Sequence, residues 1–158
     1  MTIRERTRYP LPAEDVWPYL VRPDVFAQWN PKIRKVSARG DFVAGDEYWT
    51  EYRMSGKTTV CKTVVSVVDP PRSLVLEHRQ CQNETGVSSM TVDESFTLIP
   101  GQGWTELRHV VHIKNHGMNP FVVILFWLVT TFGKSVEADA LEGLIDRDTR
   151  ARLGQLLK

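Results

Sequence analysis

The sequence predicts an α+β domain in which an antiparallel sheet packs against a long C-terminal helix. Three observations predict it. Residues 33–113 form short runs of strand-like pattern, separated by Gly- and Pro-containing turns of hairpin length. Residues 11–31 carry helical spacing between prolines. Residues 120–157 carry an apolar stripe at helical spacing. The chain has 158 residues, 42% hydrophobic and 25% charged, which fits one domain over residues 1–158 with its own core.

Residues 2–9 (TIRERTRY) read as the first strand. Leu11-Pro12-Ala13-Glu14 ends it and opens a helix with apolar residues at 16, 17, 20 and 21. Pro18 sits in the first turns, where a missing N–H costs least. Pro23-Asp24 starts a second short helix, which ends near Trp29-Asn30-Pro31 because Pro31 disfavours helix at the residue before it. Strands follow. Gly40 to Gly45 separates two of them, and Ser55-Gly56-Lys57 turns EYWTEYRM into TTVCKTVVSVV. Asp69-Pro70-Pro71-Arg72 breaks the chain before Leu74–Gln80, and the polar loop Gln82–Gly86 leads to Ser88–Ile99. Pro100-Gly101-Gln102-Gly103 turns the chain, and Trp104–Ile113 returns. The tail from Pro120 to Leu157 is helical, with apolar residues at 121, 125, 128, 132, 136, 140, 141, 144 and 145. A straight helix of that length would reach about 57 Å. That exceeds a domain of this size, so a bend is expected near Gly133 or around Gly143 to Asp148.

Lys plus Arg total 20 and Asp plus Glu 19, a formal net charge of +1. This balance argues against a protein built to grip nucleic acid, which needs a surplus of bases on one face. Cys61 and Cys81 are the only cysteines, no C-x-x-C is present, and no disulfide framework is expected. The N-terminal MTIRER is charged and lacks the apolar stretch of about 7–15 residues of a signal peptide, so the expected compartment is the cytoplasm. Phe121 to Val129 (FVVILFWLV) is unbroken apolar sequence, extended by Thr130-Thr131-Phe132. It falls short of the roughly 20 residues that span a membrane, so no transmembrane span is expected. It reads as a buried helix, with peripheral membrane contact or a homodimer contact as the alternative.

The stretch LPAEDVWPYLVRPDVFAQWNPKIRKV combines a small acidic cap, Val16-Trp17, a Pro-Asp helix start, Trp29-x-Pro31 and a return strand. It resembles the opening of the SRPBCC (START-like) superfamily. VVDPPRSLVLEH resembles the same superfamily's link between its fourth and fifth strands, and the likeness covers nearly the whole chain. The resemblance implies a helix-grip fold. A curved antiparallel sheet of about seven strands wraps a long C-terminal helix, two short helices follow the first strand, and a cavity lies between sheet and helix. It also implies a hydrophobic or amphipathic small molecule in that cavity: a lipid, or a polyketide-like or isoprenoid-like compound. Similar members are labelled polyketide cyclase/dehydrase or lipid-transport proteins. The apolar segment before the final helix departs from the usual pattern. Fold alone does not fix chemistry.

The hairpin 88–113 can be registered from sequence. A four-residue loop at Pro100–Gly103 sets Ile99 opposite Trp104. One face then pairs Leu98 with Thr105, Phe96 with Leu107, Glu94 with His109, Val92 with Val111 and Met90 with Ile113. The other face pairs Thr97 with Glu106, Ser95 with Arg108, Asp93 with Val110 and Thr91 with His112, so the first face is the apolar, inward one. Glu94 and His109 are therefore expected as a partly desolvated pair that orients a ligand's polar group or moves a proton. A plain cross-strand pair that keeps register is the simpler alternative. On the preceding strand Leu74, Leu76 and His78 face inward, with His78 near Glu94 if the two strands are neighbours. Tyr48, Tyr52 and Met54 form the expected inner face of the third strand, with Trp49, Glu51 and Arg53 outside. Trp29 and Trp127 are candidates for the cavity mouth, although core packing is the favoured reading for both aromatics and for Tyr52. The ligand-binding candidates are thus Trp29, Tyr52, His78, Glu94, Phe96, Leu107, His109 and Trp127. His109, Glu94 and His78 are the catalytic candidates.

Other motifs fail on geometry. His109, His112 and His116 would share a helix face and suit zinc, but on a strand 109 and 112 point to opposite sides, so no metal site is expected. Gly101-Gln102-Gly103 is a turn with no phosphate or dinucleotide pattern, and no cofactor is expected. No Gly-x-Ser-x-Gly is present. Cys61 in its Val-rich strand reads as an inert thiol, and Asp146–Arg152 as a solvated helix face.

Three functions follow. The first is a binding module for a hydrophobic small molecule, with Tyr52, His78, Glu94 and His109 as its few polar contacts. The second is a polyketide cyclase/dehydratase-type enzyme, with His109 or His78 shuttling a proton and Glu94 setting its charge. The third is a protein or membrane-surface interaction module that uses residues 121–132.

Overall fold

The computed structural model describes residues 1–54, 57–84, 86–115 and 136–156. Residues 121–132 with Trp127, and also His116 and Gly133, lie outside the described residues. The elements run β1 (Thr2–Tyr9), α1 (Ala13–Val21), α2 (Pro23–Trp29), β2 (Ile33–Val36), β3 (Glu47–Met54), β4 (Lys57–Asp69), β5 (Ser73–Asn83), β6 (Gly86–Val87), β7 (Thr91–Pro100), β8 (Thr105–Lys114) and α3 (Val136–Leu156).

Alternating side chains drive the strands into one antiparallel sheet of order β1-β8-β7-β5-β4-β3-β2, with the short β6 added to the end of β5. Register shifts between Ile33 and Lys35, Val60 and Lys62, and Val65 and Val67 curl it. Its inner face carries Tyr48, Thr50, Cys61, Thr63, Val65, Leu74, Leu76, Phe96, Leu98 and Leu107, all buried. Helix α1 places Glu14 and Asp15 in its first turn, where the helix dipole favours them, and buries Val16, Trp17 and Leu20. Helix α2 starts on Pro23 and buries Phe26 and Trp29. Phe26 meets Phe96 edge-on at 5.6 Å between centroids, which joins helix to sheet. The α3 residues Leu141, Leu144 and Ile145 complete this core, and the Tyr19 hydroxyl donates to Asp148 at 3.1 Å. This is the helix-grip arrangement. The helix is assigned without interruption from Val136 to Leu156, through Gly143 to Asp148.

Two expectations change. The β7–β8 register slips by two residues from the predicted one: Pro100 lies opposite Thr105, Phe96 opposite His109 and Glu94 opposite Val111. The strands reach further toward the turn than expected. Gly101 N–H donates to Trp104 O at 2.8 Å, so the turn narrows to Gln102-Gly103. Gly103, at φ +71°, takes the left-handed conformation that glycine tolerates best. An even slip leaves every side chain on its predicted face. Cys61 is not a free thiol, because it is disulfide-bonded to Cys81 across β4 and β5.

Among the described residues no helix is long and apolar enough to cross a membrane.

Candidate functional site

The inner face carries a polar chain through otherwise apolar packing. It begins at Glu5 on β1, directly opposite His109 on β8. His109 Nδ1 lies 3.3 Å from Glu5 Oε2, and His109 Nε2 donates to Glu94 Oε1 at 2.8 Å. The other carboxylate oxygen, Glu94 Oε2, accepts from His78 Nε2 at 3.2 Å. His78 Nδ1 accepts from the Thr63 hydroxyl at 2.9 Å, with the Tyr52 hydroxyl 3.2 Å from the same nitrogen. Thr63 in turn lies 3.1 Å from the Thr50 hydroxyl. The chain therefore follows the sheet order from β1 to β3.

Its centre is dry. His78 is 4% exposed, and Glu94 and His109 are each 7% exposed. Phe96 stacks on the His109 ring at 4.5 Å between centroids. Burial pushes the Glu94 carboxyl up, but hydrogen bonds from His109 and His78 and their charge outweigh it. The net effect holds Glu94 well below the usual carboxylate range. Burial, followed by the Glu94 charge, pushes the Tyr48 hydroxyl up.

Donor counting assigns the protons. Ionised carboxylates only accept, and His109 has one on each ring nitrogen, so a proton on both satisfies both contacts. His78 has a carboxylate on one side and hydroxyls on the other. Its Nε2 faces the carboxylate and its Nδ1 faces the hydroxyls.

A narrow recess of about 10 Å³, room for roughly one water, opens beside this chain. Its walls include Glu5, Tyr9, Trp29, Phe96, His109 and Leu141. A second recess of about 220 Å³ lies at residues 37–48, with Arg39, Asp41, Asp46 and Glu47 among its walls.

The predicted site residues divide accordingly. Glu94, His109, His78 and Tyr52 come together in one chain. Glu94 and His109 meet diagonally rather than as the directly opposed pair expected, because of the two-residue slip. Trp29, Phe96, Leu107 and His109 line the narrow recess. Trp29 is packed in the core, and its indole N–H donates to Tyr19 O at 2.7 Å. Trp127 lies outside the described residues. His109 is buried and His112 exposed, so the strand separates the two. The sequence reading missed Glu5, Tyr9 and Thr63. A signal existed: in TIRERTRY the arginines at 4, 6 and 8 share one face, which turns Ile3, Glu5, Thr7 and Tyr9 to the other.

A family profile described as Activator of Hsp90 ATPase homolog 1-like protein matches residues 10–119. The chain belongs to that family. The family is part of the SRPBCC/START-like superfamily. No curated protein matches the chain. Among solved structures, a START superfamily protein from Mycobacterium smegmatis is 19% identical, with a TM-score of 0.68 over 92% of this chain and 97% of that one. A conserved protein from Geobacillus kaustophilus is 12% identical, with a TM-score of 0.71 over 93% and 96%. Ara h 8.0201 is 16% identical, with a TM-score of 0.63 over 92% and 97%. At these identities the likeness shows the fold shared with this family member.

Proposed function

We propose that this protein binds an amphipathic small molecule on the inner face of its sheet. The molecule's polar group would meet the buried chain, and its apolar body would lie against Phe96, Leu107 and Trp29. One observation carries the reading: Glu94, buried among apolar side chains, holds a histidine on each carboxylate oxygen. Buried charges are costly, and keeping register needs only a pair. A chain continued over Glu5, His109, Glu94, His78 and Thr63 exceeds that need and suits recognition of a ligand's polar end.

The same geometry supports binding over acid–base catalysis at His109. Both of its ring nitrogens already face carboxylates, which leaves neither aimed at a substrate. With about 10 Å³ free in this recess, admission of a ligand to it requires α3 or α2 to part from the sheet.

Native mass spectrometry of freshly purified protein, beside an organic extract of the same sample, tests the reading. The expected result is a co-purifying apolar molecule of drug-like size. A persistently clean apo mass, together with turnover of a polyketone that Glu94→Gln and His109→Ala abolish, would replace the binding reading with the enzymatic one.

A further inference from the structure

We propose that the recess beside Tyr9 is a subsite for the ammonium head of an amphipathic primary amine. The inference rests on the ligand-binding reading above and names its ligand class. Tyr9 is 1% exposed, and its hydroxyl is the buried side-chain polar atom left without a hydrogen-bond partner among the described residues. The Thr7 hydroxyl eases its charge without meeting hydrogen-bond geometry. Native structures seldom leave such a group unpaired, because an unpaired buried hydroxyl destabilises the fold. Tyr9 lines the recess, so a polar group bound there is placed to complete its hydrogen bonding.

Size restricts that partner. About 10 Å³ accepts one water-sized group. An ammonium or a hydroxyl fits this space as it stands, whereas a carboxylate or phosphate would have to widen it further.

Charge then decides between the two that fit. Glu5 on β1 lines the recess, Glu94 on β7 lies behind His109, and the carboxylates of Asp139 and Glu142 on α3 act on Tyr9. His109 on β8 is the cation facing this group, and it lies between Glu5 and Glu94. Neither Lys nor Arg lines the recess among the described residues. Burial, with the Glu142, Glu5 and Asp139 charges, holds the Tyr9 hydroxyl well above its ordinary range. It therefore stays a neutral phenol whose oxygen accepts from an ammonium. Once α2 or α3 parts from the sheet, Trp29, Phe96, Leu107 and Leu141 supply apolar walls for the tail.

The test compares n-decylamine, n-decanol and n-decanoate at neutral pH by calorimetry. Quenching of tryptophan fluorescence gives a second readout, since Trp29 lines the recess. The amine is expected to bind about tenfold more tightly than the alcohol, with the carboxylate weakest. Tyr9→Phe should cut the amine's affinity about fivefold to tenfold, and Glu5→Gln should narrow the amine's advantage over the alcohol. Without ligand, Tyr9→Phe should be at least as thermostable as the parent, because it removes only an unpaired hydroxyl. Equal affinity for the three probes, or tightest binding of the carboxylate, overturns the amine subsite and leaves the binding reading standing. A Tyr9→Phe variant that is less stable than the parent overturns it too, since the hydroxyl would then have a partner in the folded chain. If none of the probes binds, the subsite falls, and the native mass decides whether the binding reading falls with it.

Discussion

Glu94 is the residue on which the interior depends. It sits 7% exposed, with both oxygens committed to histidines. Replacing one carboxylate oxygen with an amide NH2 leaves one buried imidazole N–H facing a donor and the other bonded to a neutral acceptor. Glu94→Gln is expected to lower the unfolding free energy near pH 7 by about 3–5 kcal/mol, measured by urea denaturation. The pH dependence has a fixed sign. The folded-state pKa of Glu94 is depressed, so its contribution is complete above the unfolded value of about 4.3 and fades as pH falls through the folded one. The gap in stability between parent and Glu94→Gln should therefore close on acidification below about pH 4. A gap that stays constant to pH 2 would show that Glu94 does not supply the acid sensitivity. The inward face of Glu5 is legible in the alternation of the first strand, whereas its partner His109 lies 104 residues away in sequence and is not.

At the scale of elements, hairpins set who meets whom. The β4–β5 hairpin pairs Asp69 with Ser73 and Val68 with Leu74. Projected outward, that register brings Cys61 opposite Cys81, and the two irregularities along the way cancel, because Val60 again lies opposite Gln82. The disulfide is thus encoded in the hairpin register set by the turn at Pro70-Pro71. The bond closes a loop across a sequence separation of 20. On the chain-entropy account it should contribute about 3 kcal/mol. Replacing both cysteines with alanine should lower the melting temperature, and adding reductant to the parent should reproduce that loss. A parent whose melting is indifferent to reductant that demonstrably opens the bond would contradict this assignment. The β7–β8 register differs by two residues from that of a four-residue Pro100–Gly103 loop because Pro100 pairs with Thr105 at the strand end. A proline is tolerated there because it gives up no N–H that a central ladder needs.

For the molecule as a whole, α3 is the clamp. Leu141 is 1% exposed, joins the core and walls the recess. Leu141→Ala should cost about 2–5 kcal/mol. Arg147→Ala, on a side chain 70% exposed, should stay within about 0.5 kcal/mol of the parent. Equal effects from the two would mean that α3 is not held by its buried face. Because the recess walled by Leu141 holds about one water, a ligand that enters it must add contacts that the closed form lacks. Saturating ligand at about 100 times its Kd should then raise stability by roughly 3 kcal/mol, visible as an upward shift in melting temperature.

Local patterns determined much of this protein. Alternation assigned the strands and told which face of each looks inward. The prolines at 12, 23 and 31 bounded the two short helices, and an apolar stripe announced the C-terminal one. Because side-chain direction has a period of two along a strand, Glu94, His109 and His78 were legible as inward even with the hairpin register two residues off. What only the tertiary structure decided is which inward groups touch. Glu5 reaches His109 across a sequence separation of 104, Thr63 reaches His78 through a hairpin, and Tyr9 is left without a partner beneath α3. Those outcomes depend on strand order and on how closely the helices approach the sheet. Both are set by the packing of the entire core, which no short stretch of sequence encodes.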